Sequence, residues 1–309
     1  MSTTIGSGVT YPDTSLETSS KSPVRAIFGY GYTTTAVGMT NLVNNYGGVG
    51  TDVTGVGLTR SSLAAAGYGG DKAIFGYGTT GSSYTSITNL VSNTGVVGSD
   101  VTGVGTARVY LAAAGYGGDK AIFGYGYTPS IVSMTNIITN TGVVGTDVTG
   151  VGTARYTLTA VGYGGDKVIF GYGYTTTYVS LTNLVSNTGV VGSDVTGVGT
   201  ARGYLAAAGY GGDKAIFGYG TTGSNVSLTN LVSNQGVVAT DTTGVGSARY
   251  ALAAAGYGGD KAIFGYGSIT ISSNTQNLTN LVSNQGVVAT DTTGVGSARN
   301  TLAAASYSS

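Results

Sequence analysis

Apolar residues along this chain fall in short runs, with glycine, asparagine and aspartate between them. The stretch from Leu63 to Arg108 shows the pattern. Leu63–Tyr68 reads Leu-Ala-Ala-Ala-Gly-Tyr, and Gly69-Gly70-Asp71 follows as a hairpin turn, because glycine supplies the positive φ such turns require. A second run, Lys72–Gly78, carries Ile74 and Phe75. After a loop, Ser86–Ser92 makes a third run with Ile87, Leu90 and Val91. Asn93-Thr94-Gly95 then turns the chain into a fourth, Val96–Val101. Short apolar runs bounded by turn residues read as strands. Leu-Ala-Ala-Ala has local helix preference, but it is too short to nucleate a helix, and glycine follows it.

This unit recurs six times between Ala26 and Ala305. Ile-Phe-Gly-Tyr-Gly begins at Ile27, Ile74, Ile122, Ile169, Ile216 and Ile263, at spacings of 47 or 48. Arg60, Arg108, Arg155, Arg202, Arg249 and Arg299 each precede a Leu by three residues. Repeats of this period build solenoids, propellers or arrays. Four short strands per copy and no helical segment predict an all-β fold, a six-bladed β-propeller of four-stranded antiparallel blades. The Ala-rich strand would lie innermost, where only small side chains fit. Phe28, Phe75, Phe123, Phe170, Phe217 and Phe264, one per copy, read as core between blades. The first copy opens at its second strand, Val24–Gly31, and the last ends with an innermost strand, Leu302–Tyr307. The C-terminal strand is therefore expected to join the N-terminal blade and close the ring, removing exposed edges. The domain reading is a Ser/Thr-rich tail over 1–22 and a propeller over 23–309.

Composition narrows the chemistry. Glycine is 56 of 309 residues, yet hydrophobics are 41% and net charge is zero, which argues against low-hydrophobicity disorder. The absence of cysteine rules out disulfides and thiolate metal sites. With no histidine, the usual general base and the commonest transition-metal ligand are missing. Thirteen basic residues balance thirteen acidic ones, so no nucleic-acid footprint is expected. No apolar run is long enough for a membrane-spanning helix, so no membrane insertion is expected. The start, Met1-Ser-Thr-Thr-Ile-Gly, lacks the basic and apolar regions of a signal peptide.

Most charges repeat with the unit. Asp52, Asp100, Asp147, Asp194, Asp241 and Asp291 precede the arginines by about eight residues, and five hairpins carry Asp-Lys pairs such as Asp71-Lys72. These could form a ring of ligands for an ion. The plainer reading is an Asp–Arg pair or turn cap holding neighbouring copies, since a calcium loop needs several closely spaced oxygens. Phe-Gly-Tyr-Gly and Gly-Tyr-Gly-Gly lack the following helix and Lys-Ser/Thr of a phosphate loop. No metal or other cofactor is expected.

In its order of parts the unit resembles kelch repeats: Arg249 before Leu252-Ala-Ala-Ala, then Ala262-Ile-Phe-Gly-Tyr-Gly. The glycine pair is split as Gly-Tyr-Gly, and the fourth-strand Trp is missing. The resemblance spans 24–307 and implies the propeller architecture, not a function. An oxidase of the kelch-like type needs His and a Cys-modified Tyr with copper, which this chain lacks. A glycosidase needs two carboxylates at one site, and only Asp13 and Glu17 stand outside the repeat. The chain is therefore expected not to be an enzyme.

Variation between copies is localised. The interval from the marker Ile to Thr-Asn ranges from 13 to 16 residues, whereas Thr-Asn to the next Arg is always 20. All length change thus lies between second and third strands. The pair after each Arg also varies: Ser61-Ser62, Val109-Tyr110, Tyr156-Thr157, Gly203-Tyr204, Tyr250-Ala251 and Asn300-Thr301. Elsewhere copies are near-identical, and Leu228–Arg249 repeats letter for letter as Leu278–Arg299. Strand alternation puts both variable places at one end. The candidate ligand-binding residues are Tyr32, Tyr110, Tyr127, Tyr156, Tyr174, Tyr178, Tyr204 and Tyr250, with Asn225, Asn274 and Gln276. Flat rings with neutral donors and acceptors suit sugars and protein surfaces; drift in unconstrained loops is the competing reading.

Gly8-Val9-Thr10-Tyr11-Pro12-Asp13-Thr14 resembles a short motif of bacteriophage tail fibres, and the arrays of Gly-Tyr-Gly-Gly-Asp-Lys-Ala-Ile-Phe-Gly-Tyr-Gly look like those of viral structural proteins. The resemblance implies a non-enzymatic propeller on a virion, extracellular after assembly in a host cytoplasm. It would bind a cell-surface glycan or protein receptor and contact other virion proteins through the tail. The alternative is a purely structural or decoration protein with no specific small ligand.

Overall fold

The computed structural model describes residues 24–270 and 274–308. The tail over 1–22, with its Gly8–Thr14 motif, Asp13 and Glu17, lies outside the described residues. Eighteen strands and no helix are found among the described residues. In chain order they are β1 (Val24–Gly29), β2 (Thr40–Val43), β3 (Ala64–Tyr68), β4 (Lys72–Gly76), β5 (Thr88–Val91), β6 (Ala112–Tyr116), β7 (Lys120–Tyr127), β8 (Ile131–Ile138), β9 (Thr159–Tyr163), β10 (Lys167–Gly171), β11 (Thr182–Val185), β12 (Ala206–Tyr210), β13 (Lys214–Gly218), β14 (Thr229–Val232), β15 (Ala253–Tyr257), β16 (Lys261–Gly265), β17 (Thr279–Val282) and β18 (Ala303–Ser308).

They form six three-stranded antiparallel sheets. In the second sheet Ala64 pairs with Gly76 and Tyr68 with Lys72, while Ala73 pairs with Val91 and Gly76 with Thr88. The first sheet is β18-β1-β2, with Val24 opposite Ser308 and Gly29 opposite Ala303. The C-terminal strand thus completes the N-terminal sheet.

The expected fourth strand is a correction. Val96–Val101 meets the third strand only at two points, Val91 with Val97 and Thr88 with Val101. Between those points the third strand advances three residues and the fourth run four, so one residue bulges and continuous pairing is lost. The Asn89 side chain spans the gap, donating to Gly98 O at 3.0 Å and Asp100 Oδ1 at 2.9 Å. The other copies repeat this. A second difference is the stretch Tyr127–Val132, expected as loop: β7 runs through Tyr127, which pairs with Ile131 at the start of β8.

The core lies between sheets. Ala64, Ala66, Tyr68 and Ile74 of the second sheet pack with Ala121, Phe123 and Ile138 of the third. The sixth and first sheets meet in the same way, through Ala253, Ala255 and Ile263 against Ala26, Phe28 and Val43. The Ala-rich strands adjoin one another in the order β3, β6, β9, β12, β15, β18, and β18 adjoins β3. Each phenylalanine meets a glycine of the sheet before it. A Cβ on Gly76 would stand 2.6 Å from Phe123 Cζ, so the Gly of Ile-Phe-Gly-Tyr-Gly is required by close approach.

Candidate functional site

The variable pair after each arginine enters its sheet at one end. Ser62, Tyr110, Thr157, Tyr204, Ala251 and Thr301 all have positive φ, between 49° and 55°. Each donates its backbone N–H to the carbonyl of its counterpart in the preceding sheet. Tyr110 donates to Ser62 O, Thr157 to Tyr110 O, Tyr204 to Thr157 O, Ala251 to Tyr204 O, Thr301 to Ala251 O, and Ser62 to Thr301 O, at 2.8–3.0 Å. This cyclic set of bonds holds non-glycine residues in a conformation that alone costs energy. At the far end the hairpins are linked likewise, for example Gly117 N–H to Asp166 O at 2.7 Å and Ser308 N–H to Asp71 O at 3.0 Å.

Inside the first ring lies a cavity of about 130 Å³, lined by Leu63, Leu111, Leu158, Leu205, Leu252 and Leu302 and by the Ala-rich strands. The second variable place adjoins the first. Tyr156 pairs with Tyr174 and Tyr174 with Tyr178; Gly203 pairs with Thr221 and Thr221 with Asn225; Tyr32 pairs with Asn300. Both variable places therefore share one end of the molecule. Val24 and Ser308 lie at the other, beside the Gly-Gly-Asp-Lys turns.

Seven of the candidate tyrosines form one network. Tyr156 touches Tyr110, Tyr127 and Tyr174, with centroids 5.6–6.0 Å apart. Tyr110 meets Tyr204 at 5.6 Å, Tyr204 meets Tyr250 at 5.7 Å, and Tyr174 meets Tyr178 at 5.0 Å. Most of these contacts are edge-to-face, the favoured arrangement. Sequence reasoning missed Tyr84, which joins through Tyr127 at 6.3 Å; its place in the second copy's variable loop was the available signal. Tyr32 stands apart from the network and is exposed. Asn274 and Gln276 bond to one another, Gln276 Nε2 to Asn274 Oδ1 at 2.8 Å. Asn225 Nδ2 donates to Ser268 O at 3.3 Å. Burial, then neighbouring Tyr110 and Tyr156, holds the Tyr204 hydroxyl well above the usual tyrosine range.

The repeated charges are bound up in the fold. Arg155 is fully buried. It donates to Tyr172 O at 2.9 Å, Thr153 O at 3.1 Å and Asn183 Oδ1 at 2.6 Å, and it stacks on Tyr125 of the preceding sheet. Asp194 lies 3.8 Å from it and accepts from Thr153 N and Oγ1. Partial burial pushes the Asp194 carboxyl up, but these hydrogen bonds, one from Asn183 and the arginine outweigh it, so its pKa is lowered. Arg299 closes the series, stacking on Tyr266 of the sixth sheet and bonding Tyr30 O and Asn41 of the first. Five of the arginines pair with the aspartate of the sheet they enter, not with the one eight residues before them, whereas Arg60 bonds Ile87 O and Asn89. Among the described residues no group of three or more Asp, Glu, His or Cys could hold a metal. No described helix is long and apolar enough to cross a membrane.

No protein-family model matches the chain, and no curated protein matches it.

Proposed function

We propose that the six sheets are the blades of a kelch-like β-propeller, closed by β18, and that the protein is a non-enzymatic receptor-binding module. The cyclic hydrogen bonds and the core between sixth and first sheets support the ring. The observation that carries the binding reading is the gathering of copy-specific tyrosines at one end of an otherwise uniform molecule. Half-buried rings fixed by edge-to-face contacts offer apolar faces at little entropic cost, as paratopes do. The chain enters at Val24, at the opposite end, so an attachment through the preceding residues would point the tyrosines outward. With the Gly8–Thr14 motif, this favours a virion appendage, extracellular after assembly, whose receptor is a surface glycan or protein.

A glycan array tests the reading. The intact protein should bind a limited set of surface glycans, and Tyr156→Ala should remove that binding while the protein still unfolds in one cooperative transition, at a temperature lowered by the loss of three ring contacts. Binding that persists in Tyr156→Ala and is lost on changing the Gly-Gly-Asp-Lys turns would put recognition at the wrong end.

A structural or decoration role is the second reading. It is favoured by exposed Val96, Val143, Val190, Val237 and Val287, repeated one per copy in five copies. Repeated exposed valines suit packing against another protein.

A further inference from the structure

Six leucines, one from each sheet, face a shared cavity rather than a shared core. Leu63, Leu111, Leu158, Leu205, Leu252 and Leu302 line the hollow of about 130 Å³. Each belongs to a different inter-sheet core. Their positions are set from outside. Each leucine Cβ lies against the second glycine of Gly-Tyr-Gly in its own sheet, where a Cβ would stand only 2.9–3.0 Å away. The cavity is therefore preformed. Wall atoms that face a void lack contacts that a guest would restore, and an apolar cavity of about 150 Å³ accepts benzene.

Toward the variable end the wall changes. Ser62, Tyr110, Thr157, Tyr204, Ala251 and Thr301 line the cavity there. Their backbone N–H groups are all spent in the cyclic hydrogen bonds. Tyr110 and Tyr204 meet edge-on at 5.6 Å, past the shorter Thr157 between them. On the other side Ala251, Thr301 and Ser62 carry short side chains, so the aromatic cover is one-sided.

No Asp, Glu, Lys or Arg lines this cavity. The hollows at the far end differ: Lys72 and Lys120 line one, and Lys167, Lys214 and Lys261 another. An ion entering among the leucines would lose water without gaining a counter-charge.

We propose that the axial cavity is a binding site for a small neutral aromatic molecule, of about the size of a benzene ring. The ring enters past Ala251, Thr301 and Ser62 and lies among the leucines. A hydroxyl on the guest stays at the mouth, on the side of the Ser62 and Thr301 hydroxyls. The site shares Tyr110 and Tyr204 with the receptor face but does not rest on the receptor reading.

The test is a ligand-observed NMR titration of the intact protein with benzyl alcohol, benzoate and benzylammonium, which share one ring and differ in charge. Benzyl alcohol is expected to bind, and each ion at least roughly tenfold more weakly. Ala254→Leu grows from the wall into the cavity, and Ala251→Tyr covers its open side. Each should weaken benzyl alcohol roughly fivefold or more. Tyrosine already occupies the place of Ala251 in two other copies, as Tyr110 and Tyr204 with the same positive φ, so Ala251→Tyr decides the matter even where Ala254→Leu fails to fold. Val287→Ser, which does not line the cavity, should leave the affinity unchanged. Benzyl alcohol held equally by the unaltered protein and Ala251→Tyr overturns the site. An ion bound as tightly as the alcohol overturns the neutral class. No binding of any of the three at roughly 10 mM overturns the proposal outright.

Discussion

The ring of Phe28, in β1, lies against Gly265, in β16 of the sixth sheet. A Cβ placed on Gly265 would come within 2.9 Å of Phe28 Cζ. The same ring meets Tyr266 edge-on, at 5.1 Å between centroids. Residues more than two hundred positions apart thus make the contact that sequence neighbours make in every other copy. Gly265→Ala should therefore destabilise the whole protein by about 1–3 kcal/mol through overpacking. Urea unfolding checks this, and an unchanged midpoint would mean the first and sixth sheets are not seated together.

Deleting Ser297–Ser309 removes β18 and the Arg299 bonds to the first sheet. The transition should move down by well over ten degrees, or folding should fail, because β1 loses its partner strand and the inter-sheet core around Leu302 opens. Melting within a couple of degrees of the full chain would refute the single-ring architecture.

Arg155→Ala should cost about 3 kcal/mol or more. It leaves the Tyr172 and Thr153 carbonyls and Asn183 Oδ1 without their donors and strips Asp194 of its cation. Ligand affinity of the folded fraction should not change. Denaturant unfolding alongside a binding isotherm separates the two; intact stability with lost binding would make the arginine a ligand contact.

Leu58 is the odd residue of its set. Thr106, Thr153, Thr200, Ser247 and Ser297 each donate a hydroxyl to an aspartate at 2.6–2.7 Å, whereas Leu58 offers Asp100 only its backbone N–H. Leu58→Thr should raise stability by about 0.5–1 kcal/mol. A loss of stability would mean the leucine packs in a way its exposed position does not suggest.

Stability should be flat across a broad pH range and fall at both ends. Asp52, Asp147, Asp194, Asp241 and Asp291 have folded pKa values below 3.8. Their contribution is present above the unfolded value and is lost as pH falls through the folded one, so acid loss begins only below about 4. Burial pushes Tyr77, Tyr172 and Tyr219 up to about 12 from 10.0. A raised folded pKa gives stability that is full below 10 and lost as pH climbs toward 12. Urea midpoints across pH read both edges; a decline starting near pH 6 would contradict this.

Strand order, inter-sheet phenylalanines and the joining of the two chain ends were legible because each depends on periodicity and phase. Val96–Val101 misled because its composition suits a strand while its register, set by a bulge and the Asn89 side chain, is not written in residue type. The Asp–Arg pairing could be read as a set but not assigned, since residues eight apart in sequence belong to different sheets. The tyrosine loops were found from their variability, but their assembly around Tyr156 was not, because it arises from contacts between copies. Thr157 Oγ1 and Asn225 Oδ1 are buried without a partner, which residue type could not foretell because it depends on the neighbouring copies.

The six residues joined head to tail, from Ser62 round to Thr301, form a set with fixed membership. Each gives one bond and takes one, so none can be dropped or added without reopening the circle. Copying of a unit can then be followed by a longer loop or a changed tyrosine without touching the circle. It cannot pass through seven copies, or five, without every neighbour being turned to a new angle.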